Sequence, residues 1–381
     1  MASIKYKLGD LLRLHDERNS DSRYTLADVK GISIQKVFIE TKADMTGVSL
    51  KPYILVKPDF FAYVTVTSRN GEKITIAHND TENTYIVSSS YVVFEVARTD
   101  ILLSDYLFIY FNRSEFDRYA RFNSWGSARE TFSWEDMCDI DIELPPIEIQ
   151  HKYVDIYNAM LENQRCYESA LEDLKLICDA YIDKLKVEID PERIGPYLDL
   201  VDERNADLEF CADDVRGISI QKTFIPTKAD MTGVSLKPYY IVSPDYFAYV
   251  TVTSRNGEKI SLAYNNTERT FICSSSYVVF CINNTEKLCP GYLQIFLNRA
   301  EFDRYARFHS WGSARETFDW SEMCDVQIPI PDIKIQQYIV NIYTAYLLRK
   351  EIDEQLKVQV KNVCPILIKG SLEEAENGQN I

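Results

Sequence analysis

The segment ARFNSWGSARETFSW (120–134) returns 186 positions later as ARFHSWGSARETFDW (306–320), with two exchanges. Its Arg121, Asn123, Ser127 and Arg129, matched by Arg307, His309, Ser313 and Arg315, are types that hydrogen-bond phosphates and base edges. A second polar cluster, Thr67, Ser68, Arg69 and Asn70, sits in VTVTSRNGEK and recurs as Thr253, Ser254, Arg255 and Asn256. Lys36 and Lys42, with Lys222 and Lys228, add charges of the kind that meet phosphates. A plain polar hairpin turn would use the same residues as the second cluster, and both readings stand at this point. Trp125 and Trp311 are expected to pack into a core, with stacking on a sugar or base as the alternative. Gly126 and Gly312 are expected to supply a φ > 0 turn that brings the following arginine back to the surface.

Catalysis finds little support. None of the four histidines recurs: His15, His78, His151 and His309 align with Val201, Tyr264, Gln337 and Asn123. A duplicated function therefore does not use histidine as base or metal ligand. No two of the 13 glycines form G-x-G, and no G-x-x-x-x-G-K-[ST] occurs, so no dinucleotide, methyl-donor or P-loop cradle is indicated. Of Glu135, Asp136, Asp139 and Asp141, only the matches to 136 and 139, Glu322 and Asp325, stay acidic, as a solvated face would. The nine cysteines contain no C-x-x-C pair. Cys138 and Cys324 alone recur, and buried thiols beside a core are expected there. No metal and no cofactor are expected in this chain.

The elements that must position these residues are themselves duplicated. Residues 31–74 and 217–260 differ at six of 44 positions, and the same offset aligns DERN, SSSYVVF and EFDRYARF without a gap. A period this long means two domains. FAYVTVTSRNGEKITIA reads as strand, Asn-Gly turn, strand. SDYLFIYFNRSEFDRYARF has helical spacing and reads as a short helix, and ETFSWEDMCDIDIELPP as a strand running into a proline stop. Each unit is thus mixed α and β.

Between the copies the pattern changes. From 149 to 187 there is no Gly or Pro. Tyr153, Met160, Tyr167, Leu174 and Tyr181 recur every seven residues, with Tyr157, Gln164, Leu171, Cys178 and Leu185 as a second row. That is a coiled-coil seam about 58 Å long. A looser version follows the second copy, with Ile339, Tyr346 and Leu356 apolar, and Pro365 is expected to end it. The reading is α+β: copied domains at 1–148 and 191–335, helices at 149–190 and 336–364, and a disordered tail at 365–381. The two helices are expected to pair antiparallel.

A net charge of −16 argues against nucleic acid, but the acidity is uneven. Residues 30–73 carry seven Lys/Arg against four Asp/Glu, and 216–259 six against three, so the most repeated block is basic. Residues 132–150 hold six acids and no Lys or Arg. No apolar run approaches a membrane span, and MASIKYKLGD lacks the apolar core of a secretory signal. A cytoplasmic protein is expected.

Domain, heptad helix, near-copy and second helix together resemble the specificity (S) subunit of type I restriction–modification systems. The most family-like pieces are GSARETFSWEDMCDIDIELPPIEIQHKYV and GSARETFDWSEMCDVQIPIPDIKIQQYIV. The resemblance implies a non-catalytic prokaryotic DNA reader whose two target recognition domains each bind half of a bipartite site on double-stranded DNA. It implies helices that set the spacer and dock two methyltransferase (M) subunits carrying S-adenosylmethionine. Restriction (R) subunits, where the system has them, would bring ATP and Mg. Such domains usually differ from each other, whereas these are close copies, so two similar half-sites in an interrupted palindrome are expected. The rival reading is a symmetric protein–protein scaffold that binds no DNA.

Overall fold

A computed structural model describes residues 3–67, 73–127, 129–253, 259–312 and 315–377. The chain divides into two compact units, Met1–Glu168 with Ile352–Ile381, and Ser169–Glu351.

In the first unit, β1 (Ile4–Lys7) and β2 (Leu12–His15) precede a hairpin of β3 (Lys30–Ile32) and β4 (Phe38–Glu40). Five strands follow: β5 (Ile54–Val56), β6 (Phe61–Val64), β7 (Ile76–His78), β8 (Tyr85–Val87) and β9 (Tyr91–Val96). Strands β2-β9-β6-β7 form an antiparallel sheet in that order, and β5 pairs with β8. Then come α1 (Ser104–Phe111), α2 (Ser114–Phe122), α3 (Trp134–Cys138), β10 (Asp141–Leu144) and the long α4 (Ile147–Glu188). β10 returns to pair with β1 and closes the unit.

Alternation in FAYV explains the layering. Phe61 and Tyr63 point to the helix side, where they join Phe94, Phe111 and Phe116 in the main core. Ala62 and Val93 point to the other face and meet Ile54, Val56 and Val87. Phe61 stacks on Phe94 at 5.1 Å and meets Phe111 edge-on at 5.8 Å.

The second unit repeats the plan. It starts with β11 (Glu192–Arg193), β12 (Leu198–Val201), β13 (Arg216–Ile218) and β14 (Phe224–Pro226). β15 (Tyr240–Val242), β16 (Phe247–Val250), β17 (Leu262–Tyr264), β18 (Phe271–Cys273) and β19 (Tyr277–Ile282) follow. It ends with α5 (Pro290–Asn298), α6 (Ala300–Phe308), α7 (Trp320–Cys324), β20 (Gln327–Ile328) and α8 (Ile333–Asn377). Its sheet order is β12-β19-β16-β17, and Phe247 stacks on Phe280 at 5.0 Å.

Three local expectations change. The single helix expected over 104–122 is two, because Asn112 caps α1 by donating from Nδ2 to the Phe108 carbonyl, and Arg113 is extended. The strand expected after the loop begins as α3. Ser133 accepts from the Asp136 amide at 3.1 Å while Asp136 accepts from the Ser133 amide, a capping box that starts a helix. The hairpin pairs, but not in the register of a two-residue Asn-Gly turn, which would set Phe61 opposite Asp80. Phe61 lies opposite His78, because Thr65–Thr67 leave the partner strand to bond the 130–132 segment.

The long helices contribute to both units, and within each unit they pair antiparallel. In the first unit Lys152 meets Glu374, and Gln164 donates to Asp353 at 3.0 Å. In the second, Ile182 and Leu185 share a core with Ile339. The buried seam is the second heptad row, Tyr157, Gln164, Leu171, Cys178 and Leu185. Of the first row, expected to pair as part of the seam, Tyr153, Met160, Tyr167 and Leu174 are half-buried flanks and Tyr181 is 47% exposed. Both rows are largely apolar, so spacing alone cannot choose between them, and the tyrosine hydroxyls favour the wetter one. On α8, Ile339 is buried, and Tyr346 and Leu356 are half-buried.

The disordered tail is a correction. α8 runs through Pro365 to Asn377, because Leu367, Ile368, Ser371 and Ala375 are buried and Tyr106 bonds Ser371 at 2.7 Å. This packing outweighs the roughly 3 kcal/mol that an interior proline costs a helix.

Candidate functional site

Each unit builds its candidate site where the end of α2 (or α6) meets the following loop. Ser124 Oγ donates to the Ala120 carbonyl at 2.6 Å, and Trp125 and Thr131 exchange backbone bonds at 3.1 and 3.0 Å. At Gly126 φ is +142°, and a Cβ there would lie 2.1 Å from the Arg129 carbonyl oxygen. Gly312 repeats this with φ +137° and 2.2 Å. No other residue fits such a turn. Thr67 donates its amide to the Glu130 carbonyl at 3.0 Å, so Thr67 lies beside this turn.

The loop displays Ser127, Arg129 and, in the second copy, Arg315 as exposed side chains. Arg121 pairs with Glu130 and Arg307 with Glu316, each side chain about two-fifths exposed, so these guanidiniums are held in place rather than free. Asn123 and His309, the one exchange on this surface, do the same job. Asn123 Nδ2 donates to the Tyr119 carbonyl at 3.0 Å and His309 Nδ1 to the Tyr305 carbonyl at 2.9 Å. His309 adds a stack on Tyr305 at 4.0 Å.

Several candidates leave the contact set. Lys36 and Lys222 are buried at 3% and 6% exposure. Lys36 Nζ pairs with Asp117 at 2.7 Å and donates to the Phe111 carbonyl; Lys222 does likewise with Asp303 and Leu297. Burial pushes both ammonium groups below the usual lysine range, against the pull of their aspartates. They cannot reach a phosphate. Asp117 also accepts the Ile74 amide, so this pair ties the β3–β4 turn, α2 and the segment before β7 together. Thr67 and Thr253 are buried as well, at 2% and 3%. Lys42 and Lys228 are exposed, on the 41–52 and 227–238 segments rather than on the loop. Ser68, Arg69, Asn70, Ser254, Arg255, Asn256 and Ser313 lie outside the described residues.

Sequence reasoning missed the aromatic content of this surface. Phe122 is 79% exposed and Trp125 66%; Phe308 and Trp311 are 75% and 62% exposed. The expectation that Trp125 and Trp311 pack inside is overturned, because the Gly turn bends their loop outward. Trp134 and Trp320 are the packing tryptophans, against Phe94 and Phe280. Cys138 is half-buried against Gly9, where a Cβ would lie 2.9 Å from its own. The family-like glutamines are structural joints. Gln150 is fully buried, donates to the Ile101 and Pro145 carbonyls and accepts from the Leu103 amide; Gln336 repeats the set. Among the described residues no cluster of His, Cys, Asp and Glu could hold a metal, and no helix is long and apolar enough to cross a membrane.

Residues 4–165 match the family described as type I restriction modification DNA specificity domain. The fold resembles the type I restriction-modification system S subunit from M. genitalium, at TM-score 0.57 and 11% identity over 98% of this chain and 96% of that one. The HsdS subunit from Thermoanaerobacter tengcongensis aligns at TM-score 0.38 and 12% identity, covering 97% and 96% of the two chains. A chain from a type I R-M system assembly aligns at TM-score 0.49 and 12% identity over 97% and 98%. No curated protein sequence matches the chain.

Proposed function

Because residues 4–165 match the type I restriction modification DNA specificity domain family and the second unit repeats them, we propose that this chain is the sequence-specific DNA-binding subunit of a type I restriction–modification complex. It is a reader and not a catalyst: methylation and cleavage belong to its partner subunits. The observation that carries the reading is a loop whose described residues repeat in both units, with an obligatory glycine turn, a fixed arginine and an exposed one. Fixed guanidiniums suit bidentate contacts to guanine, and exposed ones suit phosphates.

The finer assignments are part of the proposal. Each unit reads one half of a bipartite site on double-stranded DNA, and the halves are alike because Asn123 and His309 cap their helices in the same way. The long helices set the spacer and dock two methyltransferase subunits, which bring S-adenosylmethionine. Two restriction subunits with ATP and Mg join where the system encodes them, and the complex works in the prokaryotic cytoplasm.

A salt titration of DNA affinity, with the chain assembled on its methyltransferase partner, tests this. A reader that makes several phosphate contacts loses affinity steeply and log-linearly with salt. A flat response, or no binding to DNA, would favour a protein scaffold.

A further inference from the structure

The four rings at the loop are largely exposed, and the ring contact among them is Phe308 edge-on to its neighbour His309 at 5.1 Å. Phe122 ends α2, Trp125 begins the loop, and Phe308 and Trp311 repeat them at nearly equal exposure. Leaving two large rings in water on each unit costs solvation free energy that burial elsewhere would recover. The rings are also not on a slack segment. The Trp125–Thr131 bond pair, the Ser124 and Asn123 side-chain bonds to helix carbonyls and the Gly126 turn hold them in place.

What covers them follows from size and charge. Two rings at this exposure offer about 300 Å² of apolar surface, well short of the roughly 800 Å² per partner that a stable protein interface buries. Guanidinium groups stand close to them along the chain: Arg118, with a side chain 67% exposed and 3.7 Å from Glu115, Arg121, paired with Glu130, and exposed Arg129. The second copy places Arg304, Arg307 and Arg315 in the same way. A polyanion whose interior is built of flat apolar faces meets both conditions.

We infer that Phe122 with Trp125, and Phe308 with Trp311, are stacking wedges that enter one base step in each half-site of duplex DNA and hold it open. The inference rests on the DNA-reading function proposed above and adds a mode of contact to it. Apolar side chains that enter a step kink the duplex, and the kink is easiest at flexible pyrimidine–purine steps. The wedge thereby favours such a step without a hydrogen bond to it. Stacking does not release counterions, so this part of the affinity is independent of salt.

The test uses the full chain assembled with its methyltransferase subunits and DNA carrying 2-aminopurine at successive half-site positions other than the methylated adenine. On binding, fluorescence should rise at one step per half-site. Phe122→Ala with Phe308→Ala, and separately Trp125→Ala with Trp311→Ala, should abolish the rise. Each should weaken affinity roughly tenfold, the size of one lost base–aromatic stack, while the log–log salt slope and the melting temperature stay unchanged. Phe122→Trp with Phe308→Trp should restore both signals. Unchanged fluorescence and affinity in the alanine variants, beside a wild type that still binds with a steep salt slope, would overturn the wedge and leave the DNA reading intact. An affinity loss that disappears when half-site thymines are replaced by uracil would overturn it in favour of a methyl contact. Loss of the methyltransferase subunits from the purified complex would overturn it in favour of protein docking. A wild type without salt-dependent DNA binding would overturn the reading itself.

Discussion

Lys36 and Asp117 show how far a residue's role departs from its type. In sequence Lys36 is a cation in a basic block; in the fold it is a buried pin with a positive φ of 64° and an aspartate at 2.7 Å. Removing one partner leaves the other charge buried and unpaired, so Lys36→Met should destabilise the first unit by about 3–5 kcal/mol, read by denaturant unfolding. Lys36→Met with Asp117→Leu should recover part of the loss, less whatever the Ile74 amide gives up when its acceptor goes. Gly126→Ala carries the second prediction at this scale. Its Cβ meets the Arg129 carbonyl, so the turn must shift, and DNA affinity should drop at least tenfold in a binding titration with little change in the core. The need for Gly126, and the arginines around it, were legible from residue type and repetition. The outward Trp125 was not, since a tryptophan's apolar area argues for burial until the backbone at the next residue is known.

Elements were legible where period and caps agree. The long helices followed from an uninterrupted heptad pattern, although the α8 extension past Pro365 depends on core contacts that sequence spacing does not reveal. α3 hid inside an apparent strand because its signal, the Ser133–Asp136 box, spans only four residues. The seam itself holds a polar point. Gln164 and Asp353 are buried together, with Lys357 2.8 Å from Asp353 and 3.0 Å from Glu168, an arrangement that fixes helix register. In the second unit α4 is tied to α6 through Lys186 and Glu301. The Lys186 hydrogen bond, helped by Arg299, holds the Glu301 carboxyl below the usual glutamate range. A depressed folded-state value means that the unfolded chain takes the proton first. The stabilisation is therefore complete above about pH 4.5 and fades as pH falls through the lowered value. Wild type should melt above Glu301→Gln at neutral pH by the equivalent of under about 1 kcal/mol, given the exposure of the pair. The two melting curves should converge in acid.

At the scale of the molecule, duplication was the most legible fact of all. An offset of 186 without a gap foretold two units with one topology, and both sheets have the same strand order. Mixed α and β content followed from that plan, and the glutamine joints that start each long helix repeat with it. The net charge of −16 is an average over an uneven chain, in which acids gather on scaffold and helices while the loop carries exposed Arg129 and Arg315. On the proposed function, near-identity of the two units predicts near-identity of the two half-sites. Methylome sequencing of cells that express this chain with its methyltransferase measures this most directly. The account predicts methylation of one bipartite site whose two halves carry the same bases as an interrupted palindrome, and loss of that methylation when the chain is deleted. Two unrelated half-sites, or methylation that does not depend on the chain, would contradict it.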